Sequence, residues 1–276
     1  MHGAGNDFAV IDLREWPASL DAAAIRVLAD RHLGIGFDQL LGVGPAHDAA
    51  AAWRYAIWNA DGSPSGQCGN GARCVAAWLY RAGHLDLDVE TPLQSPAGLI
   101  GVRLLDASRV AVAMGEPVFT PAAIPFVTDA DAAVHAVEID GQRLEIGAVS
   151  MGNPHAVVEV ETLDESRLAR FGPALSRHPR FPEGCNAGFV ERVSEHEIRL
   201  RVHERGSGWT LACGTGACAA VAVLARRGRV GPEVDVHLPG GTLHIAWRGP
   251  GHVLWMTGPA AFAYTGEVDA DILRLS

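Results

Sequence analysis

The sequence contains no lysine, because all 22 of its basic residues are arginine. Pyridoxal phosphate enzymes hold their cofactor through a lysine Schiff base, and Walker-type phosphate loops need Gly-Lys-Ser/Thr. Both classes are therefore excluded. The chain also lacks an apolar run of about 18 residues and a basic, apolar leader. We therefore expect no membrane span, no export signal and a cytoplasmic protein.

An excess of positive charge is also missing, since the net charge is −10. Such a balance argues against nucleic acid as a partner. Five cysteines form an odd set that does not look like a secreted disulfide scaffold, which fits a reducing compartment. With 276 residues, 48% of them apolar and 20% charged, the chain is long enough for two globular domains or one large one.

Metal-ligand spacings are poor. Cys68 and Cys74 are six positions apart and Cys213 and Cys218 are five, and Cys-x₂-Cys does not occur. A zinc site on these pairs is an alternative that we weigh and set aside. We expect no metal, and we expect Cys74 and Cys218 to pack in the core.

What the sequence does contain is a pair of matching motifs, Cys68-Gly69-Asn70-Gly71 and Cys213-Gly214-Thr215-Gly216. Each precedes a helical pattern, predicted over 72–81 and 217–227, that stops at a glycine fifteen positions after its cysteine. The spacing predicts a cysteine at the start of each helix. The positive end of a helix dipole favours anions and lowers the pKa of a thiol there.

The motifs belong to an internal duplication. Gly5-Asn6 recurs at Gly152-Asn153 with an offset of 147, and the cysteines recur with an offset of 145. Asn59 lies nine residues before the first cysteine and Glu204 nine before the second. Helices are also predicted over 21–32 and 164–176, and strands over the ranges 53–59, 85–90, 99–104, 109–114, 197–203, 234–238, 242–247 and 252–256.

These patterns predict an α+β protein of two pseudo-symmetric domains. Each would be a mostly antiparallel, curled sheet or barrel around a central apolar helix. We predict domains over 1–117, joined by 263–276, and over 118–262, with a proline-rich linker near 116–123. The active site would lie in the cleft between the two domains.

Facing helix starts would place a thiol on each side of a bound molecule. Inverting a carbon stereocentre needs such a pair, because one base removes a proton from one face and one acid returns a proton to the other. The N–H groups of Gly69, Asn70, Gly214 and Thr215 would hold a carboxylate and stabilise the charge that develops on proton loss. Glu204 would suit an ammonium group and Arg205 a carboxylate.

Seven segments together carry a resemblance to a known family. They are His2-Gly3-Ala4-Gly5-Asn6-Asp7-Phe8, Gly36-Phe37-Asp38-Gln39-Leu40, Asn59-Ala60-Asp61-Gly62-Ser63, Gln67-Cys68-Gly69-Asn70-Gly71-Ala72-Arg73-Cys74, Met151-Gly152-Asn153-Pro154-His155-Ala156, Glu204-Arg205-Gly206-Ser207-Gly208 and Ala212-Cys213-Gly214-Thr215-Gly216-Ala217. In this order and along nearly the whole chain, they resemble the diaminopimelate epimerase family.

The resemblance implies a cofactor-independent, two-base interconversion of LL- and meso-diaminopimelate, a step of lysine and peptidoglycan synthesis. It implies Cys68 and Cys213 as the acid–base pair, with His155 and Glu204 supporting proton transfer. It also implies a homodimer with Tyr264 at the interface, and oxidation of the facing cysteines to an inactive disulfide. The implied substrate-binding residues are Asn6, Gln39, Asn59, Gly69, Asn70, Asn153, Asn186, Glu204, Arg205, Gly214 and Thr215.

Two alternatives stay open. One is a proline or hydroxyproline racemase of the same fold, although that family is expected to have Cys-Gly-His at the first motif. The other is a non-catalytic protein that binds small carboxylates at the two helix ends. The chain also departs from the family pattern in two places: few residues precede the first glycine motif, and Trp209 stands where a polar residue is common.

Overall fold

A computed structural model describes residues 1–16, 20–66, 68–269 and 271–272. Gln67 of the first cysteine motif and part of the predicted 263–276 segment lie outside these ranges. The chain divides into two compact units. The first unit contains residues 1–113 and the segment from Thr257 onward, and the second contains Met114–Met256.

The first unit pairs a curled sheet with one central helix. Its helices are α1 (Ala22–Ala29) and α2 (Gly69–Arg81), and its strands are β1 (His2–Gly3), β2 (Asn6–Asp12), β3 (Gln39–Pro45), β4 (Trp53–Asn59), β5 (Thr91–Ser95), β6 (Gly98–Leu104) and β7 (Arg109–Ala113). The strands are ordered β1 to β7 without a crossing. Because α2 contacts strands near both ends of this row, the sheet wraps around the helix.

The second unit has the same plan with additions. Its elements are a 3₁₀ turn (Pro121–Ala123), β8 (His135–Ile139), β9 (Gln142–Ser150), β10 (Pro154–Val160), α3 (Glu165–Ser176), β11 (Asn186–Arg192), β12 (Glu197–Glu204), β13 (Gly208–Trp209), α4 (Gly214–Arg226), β14 (Glu233–Leu238) and β15 (Gly241–Ala246), followed by β16 (Trp255–Pro259) at the boundary. Its sheet order is β15-β14-β12-β11-β10-β9-β8.

The two units share a pattern of strand pairing. β2 runs parallel to β3, β3 antiparallel to β4, β4 parallel to β5 and β5 antiparallel to β6; β10, β11, β12, β14 and β15 repeat these four relations. The register is also the same, because Phe8 pairs with Gln39 and His155 with Asn186, each at the predicted offset of 147. The α+β class and the curled sheet are confirmed. Within the described residues each sheet is a linear row, so neither closes into a barrel.

The central helices are buried, as their apolar composition predicts. Both start three residues before the predicted ranges, at Gly69 and Gly214, and the glycines beyond their ends take the left-handed conformation, with φ of 77° at Gly83 and 65° at Gly228. Cys74 and Cys218 are fully buried in them. No helix in the described ranges combines the length and the apolar character that crossing a membrane requires.

Two predicted strands are displaced. Residues 85–90 do not form a strand, because Asp88 has a φ of 58° and interrupts the extended chain, so that β5 begins at Thr91. Residues 252–254 are irregular and follow a turn in which Gly249 and Gly251 have positive φ, and β16 starts only at Trp255. The hairpin of β8 and β9 has no counterpart in the prediction.

Candidate active site

Cys68 is the residue that precedes the first central helix. Its backbone is extended, and its Sγ accepts a hydrogen bond from the N–H of Gly71 at 3.3 Å. The first intrahelical bond runs from Ala72 N to the carbonyl of Cys68, which leaves the N–H groups of Gly69 and Asn70 without intrahelical acceptors. A half-buried thiol thus lies beside amides that can bind an anion.

Asn6 at the start of β2 lies next to this helix start. Its Oδ1 is 3.8 Å from Cys68 Sγ and accepts a hydrogen bond from Asn70 Nδ2 at 3.3 Å. Gln39 and Asn59 face each other on β3 and β4, where Gln39 Nε2 donates to Asn59 Oδ1 at 2.9 Å. The first-half residues that the sequence singles out therefore form two hydrogen-bonded groups, one at the helix start and one between β3 and β4.

Cys213 occupies the same position before the second central helix, but its surroundings differ. Its side chain is buried and makes no capping hydrogen bond, and its Sγ is 3.6 Å from Thr215 Oγ1. Thr215 Oγ1 in turn accepts from Asn153 Nδ2 at 3.5 Å. In both units the asparagine contacts the second helix residue, but Asn6 also contacts its cysteine directly, whereas Thr215 lies between Asn153 and Cys213.

Glu204 distinguishes the second helix start from the first. Burial raises the pKa of the Cys213 thiol well above its usual range, and the Glu204 carboxylate raises it further. Burial likewise raises the pKa of Glu204, while Thr210 Oγ1 donates a 2.5 Å hydrogen bond to its Oε1. The predicted lowering of the thiol pKa by the helix start is therefore wrong for Cys213, because desolvation and a neighbouring negative charge outweigh the dipole.

His155 is fully buried on β10 beside Asn186 of β11. Its Nε2 is 2.9 Å from Asn153 Oδ1 and 3.5 Å from Asn186 Nδ2. Burial, aided by the positive charge of Arg205, lowers the pKa of His155 to about 3. The imidazole is therefore neutral at physiological pH. The shorter contact indicates that Nε2 carries the proton and donates to Asn153.

Arg205 extends outward from the end of β12. Asn186 Oδ1 accepts a 2.8 Å hydrogen bond from its backbone N–H, and its Nη1 donates to the carbonyl of Glu183 at 2.9 Å. The exposed guanidinium lines a cavity of about 580 Å³ with Arg177, His203 and the loop after β12.

Tyr264, the predicted interface residue, is 64% exposed. Trp209, the second departure from the family pattern, packs against the core of the second unit.

Sequence reasoning missed three residues that contact these groups. Arg73 is completely buried and donates to Asn70 Oδ1 at 2.9 Å, Asp38 accepts from Asn6 Nδ2 at 2.9 Å, and Thr210 holds Glu204. One signal was available for Arg73, because a charged residue inside an otherwise apolar helix needs a partner. Asp38 and Thr210 carry no such signal.

Solved structures with the same fold include epimerases, racemases, a methylitaconate isomerase and phenazine biosynthesis proteins. A hydroxyproline epimerase from Agrobacterium vitis has a TM-score of 0.67 at 19% identity, covering 96% of this chain and 89% of its own. A probable proline racemase from Agrobacterium radiobacter K84 has a TM-score of 0.67 at 18% identity over 98% and 92%. At such identities the likeness concerns the fold alone. The chain therefore has the fold of these racemases and epimerases, with a cysteine at each of two helix starts.

Sequence relatives identify the family within this fold. The family model for diaminopimelate epimerase matches residues 1–120 and 147–263. A diaminopimelate epimerase from Xanthomonas axonopodis pv. citri is 51% identical over 97% of this chain and 94% of its own, and one from Aromatoleum aromaticum is 49% identical over 98% of both. The chain belongs to the diaminopimelate epimerase family.

Proposed function

We propose that the protein interconverts LL- and meso-2,6-diaminopimelate in the cytoplasm, with Cys68 and Cys213 acting on one α-carbon from its two faces. The observation that carries this proposal is the matched pair of helix starts, each with a cysteine and an asparagine in contact with the first helical turn. Relatives that carry the name of this epimerase over nearly their full length support the choice of substrate.

The reaction needs one thiolate and one thiol at a time. The Cys68 thiolate takes the α-proton, the electron pair of the C–H bond stays on the α-carbon, and the Cys213 S–H delivers a proton to the opposite face. Burial keeps Cys213 protonated in the ligand-free chain. The form with a Cys68 thiolate and a Cys213 thiol therefore reacts with the epimer whose α-proton faces Cys68. The other epimer requires the reverse protonation of the pair.

The free N–H groups of the helix starts would bind the carboxylate at the reacting carbon and stabilise the negative charge that develops there. Glu204 lies against Cys213 with a raised pKa, so it is suited to share the proton of that thiol. Neutral His155 orients Asn153 without adding charge. Arg205 would bind the distant carboxylate of a substrate with two charged ends.

Deuterium exchange tests the proposal. In deuterated water and under reducing conditions, LL-diaminopimelate should gain deuterium at one α-carbon and turn into the meso epimer, as followed by NMR. L-Proline and trans-4-hydroxy-L-proline serve as the comparison substrates. Exchange into proline alone would favour the sibling racemase, and tight binding of diaminopimelate without any exchange would favour a carboxylate-binding protein.

A homodimer is the second part of the proposal, with Tyr264 at its interface. The observation that supports it is the exposure of this large side chain on a segment next to β16. Sedimentation velocity of the chain and of its Tyr264→Ser variant tests it. A native chain that sediments as a monomer at micromolar concentration contradicts this part without touching the epimerase assignment.

A further inference from the structure

Four side chains form a row of hydrogen bonds past Cys68. Arg73 Nη2 donates to Asn70 Oδ1 at 2.9 Å, Asn70 Nδ2 donates to Asn6 Oδ1 at 3.3 Å, and Asn6 Nδ2 donates to Asp38 Oδ2 at 2.9 Å. The two ends are charged and cannot exchange roles, since a guanidinium only donates and a carboxylate only accepts. The row therefore has one direction.

This direction fixes which end of the Asn6 amide faces the sulfur. If the amide turned over, its NH₂ group would meet the NH₂ group of Asn70 and its oxygen would meet the carboxylate of Asp38. Both contacts would join groups of like polarity. The Asn6 oxygen is therefore the atom 3.8 Å from Cys68 Sγ, where it accepts from the thiol.

Each end of the row is held by further contacts. Arg73 is completely buried, and its Nε donates to the carbonyl of Pro259 at 3.1 Å. Asp38 accepts from Arg31 Nη2 at 2.9 Å, and the same guanidinium forms two hydrogen bonds with Asp7. The backbone N–H of Asp7 also donates to Asp38 Oδ2 at 3.3 Å. The two ends are thus fixed independently of Cys68.

The second unit runs its corresponding amide the other way. At the position of Arg73, 145 residues later, stands the buried Cys218, and Thr215 replaces Asn70. There Asn153 Oδ1 faces His155, and its Nδ2 donates to Thr215 Oγ1. Thr215 Oγ1 accepts that hydrogen bond, so its own hydrogen can point toward Cys213 Sγ, 3.6 Å away.

We infer that Arg73 and Asp38 are positioning residues that hold the Asn6 carbonyl oxygen against the Cys68 thiol as a hydrogen-bond acceptor. An acceptor beside sulfur stabilises the S–H form relative to the thiolate. The Cys68 thiolate is thereby a stronger base toward a substrate proton. This role rests on the proposed function, in which Cys68 transfers a proton.

Thiol alkylation tests the inference without relying on turnover. The ligand-free full chain is treated with iodoacetamide across a pH series, and the modified fractions of the Cys68 and Cys213 peptides are read by mass spectrometry. Asp38→Leu and Arg73→Met each remove one end of the row, and Asp38→Leu combined with Arg73→Met removes both. In the double variant the Cys68 profile should move down by about one pH unit, with a smaller shift in each single variant. The Cys213 profile should stay in place.

The matched control is Asp12→Leu. Asp12 lies on the same strand as Asn6 and binds Arg14, but it makes no contact with Asn6 among the described hydrogen bonds. The pH dependence of Cys68 alkylation in Asp12→Leu should match that of the native chain. Arg73→Lys keeps a donor, so its Cys68 profile should lie close to the native one and not to that of Arg73→Met. A Cys68 profile that is unmoved in Asp38→Leu, or moved as much in Asp12→Leu, overturns the inference.

Two features of the design separate loss of the positioning role from misfolding and from failure of the proposed function. Asp38 is exposed, so Asp38→Leu carries the test even if loss of the buried Arg73 cation prevents folding, which circular dichroism reports. Absence of deuterium exchange in the native chain would overturn the proposed function. A Cys68 profile that does not respond to Asp38→Leu would overturn only the positioning role.

Discussion

The Nε2 atom of His155 lies 2.9 Å from Oδ1 of Asn153, and burial lowers the pKa of this histidine to about 3. In the unfolded chain the same imidazole titrates near 6.5. Between these values the unfolded chain binds a proton that the folded chain does not. His155 therefore destabilises the folded state progressively as the pH falls from about 6.5 to about 3.

His155→Gln should remove this acid sensitivity while keeping a side chain that can donate to Asn153. The free energy of unfolding of the native chain should lose about 1.4 kcal/mol more per pH unit across this window than that of the variant. Urea unfolding at pH 7, 5.5 and 4.5 measures the difference. His47→Gln, on the surface, is the control and should follow the native chain. Parallel curves for the native chain and His155→Gln would contradict the buried neutral imidazole.

Removing either helix-start thiol should abolish epimerisation, and removing the deeper cysteines should not. Cys68→Ala and Cys213→Ala each delete an acid or base, for which a loss of about 10² to 10⁴ in kcat is expected. Cys74→Ala and Cys218→Ala, on the same two helices, should keep kcat and cost about 1 to 2 kcal/mol of stability through a small cavity. A chiral assay and thermal unfolding separate the two effects. Full activity in Cys68→Ala or Cys213→Ala would refute the two-base mechanism.

Neutralising Glu204 should make Cys213 more reactive while slowing the enzyme. Its charge is the second cause, after burial, of the raised pKa of Cys213, so Glu204→Gln lowers that pKa. Alkylation of Cys213 should then extend to lower pH while the turnover falls. Glu183→Gln alters an exposed carboxylate on a neighbouring loop and should change neither quantity. Unchanged Cys213 alkylation in Glu204→Gln would show that burial alone sets its reactivity.

Gly172 of α3 should not tolerate alanine, although alanine favours a helix by about 1 kcal/mol. An added Cβ would lie 2.8 Å from Cη2 of Trp209 and closer still to the adjacent ring carbon. Overpacking of this kind costs about 1 to 3 kcal/mol, so the clash outweighs the propensity. Thermal unfolding should show Gly172→Ala destabilised and Gly172→Ala with Trp209→Phe largely restored, because the smaller ring frees that space. If the stability changes of the two single variants simply added in the double variant, the Cβ at position 172 and the Trp209 ring would not compete for space.

The duplication and both cysteine-headed helices could be predicted from the sequence, because Cys-Gly-x-Gly and a glycine fifteen residues after each cysteine are local signals. The raised pKa of Cys213 could not be predicted, because it depends on burial and on the Glu204 carboxylate at the end of β12. The strand expected at 85–90 failed for a local reason, the left-handed Asp88.

The orientation of the Asn6 amide could not be predicted either. It depends on Arg73, which the motif contained, and on Asp38, whose approach to Asn6 follows from the parallel pairing of β2 and β3. A periodicity or motif describes which face a side chain occupies. It does not describe which of two nearly identical amide ends is turned toward a sulfur.

The shared register of β2 with β3 and of β10 with β11 limits the positions at which insertions or deletions in the chain can be tolerated. Successive side chains in a strand point to opposite faces, so one inserted or deleted codon within these strands would turn part of the strand's side chains to the other face of the sheet. The connections between the strands carry no such constraint, and the offset between the halves falls from 147 at Gln39 to 145 at Asn59 across one of them. Insertions should therefore accumulate in the connections while the length of these strands is conserved.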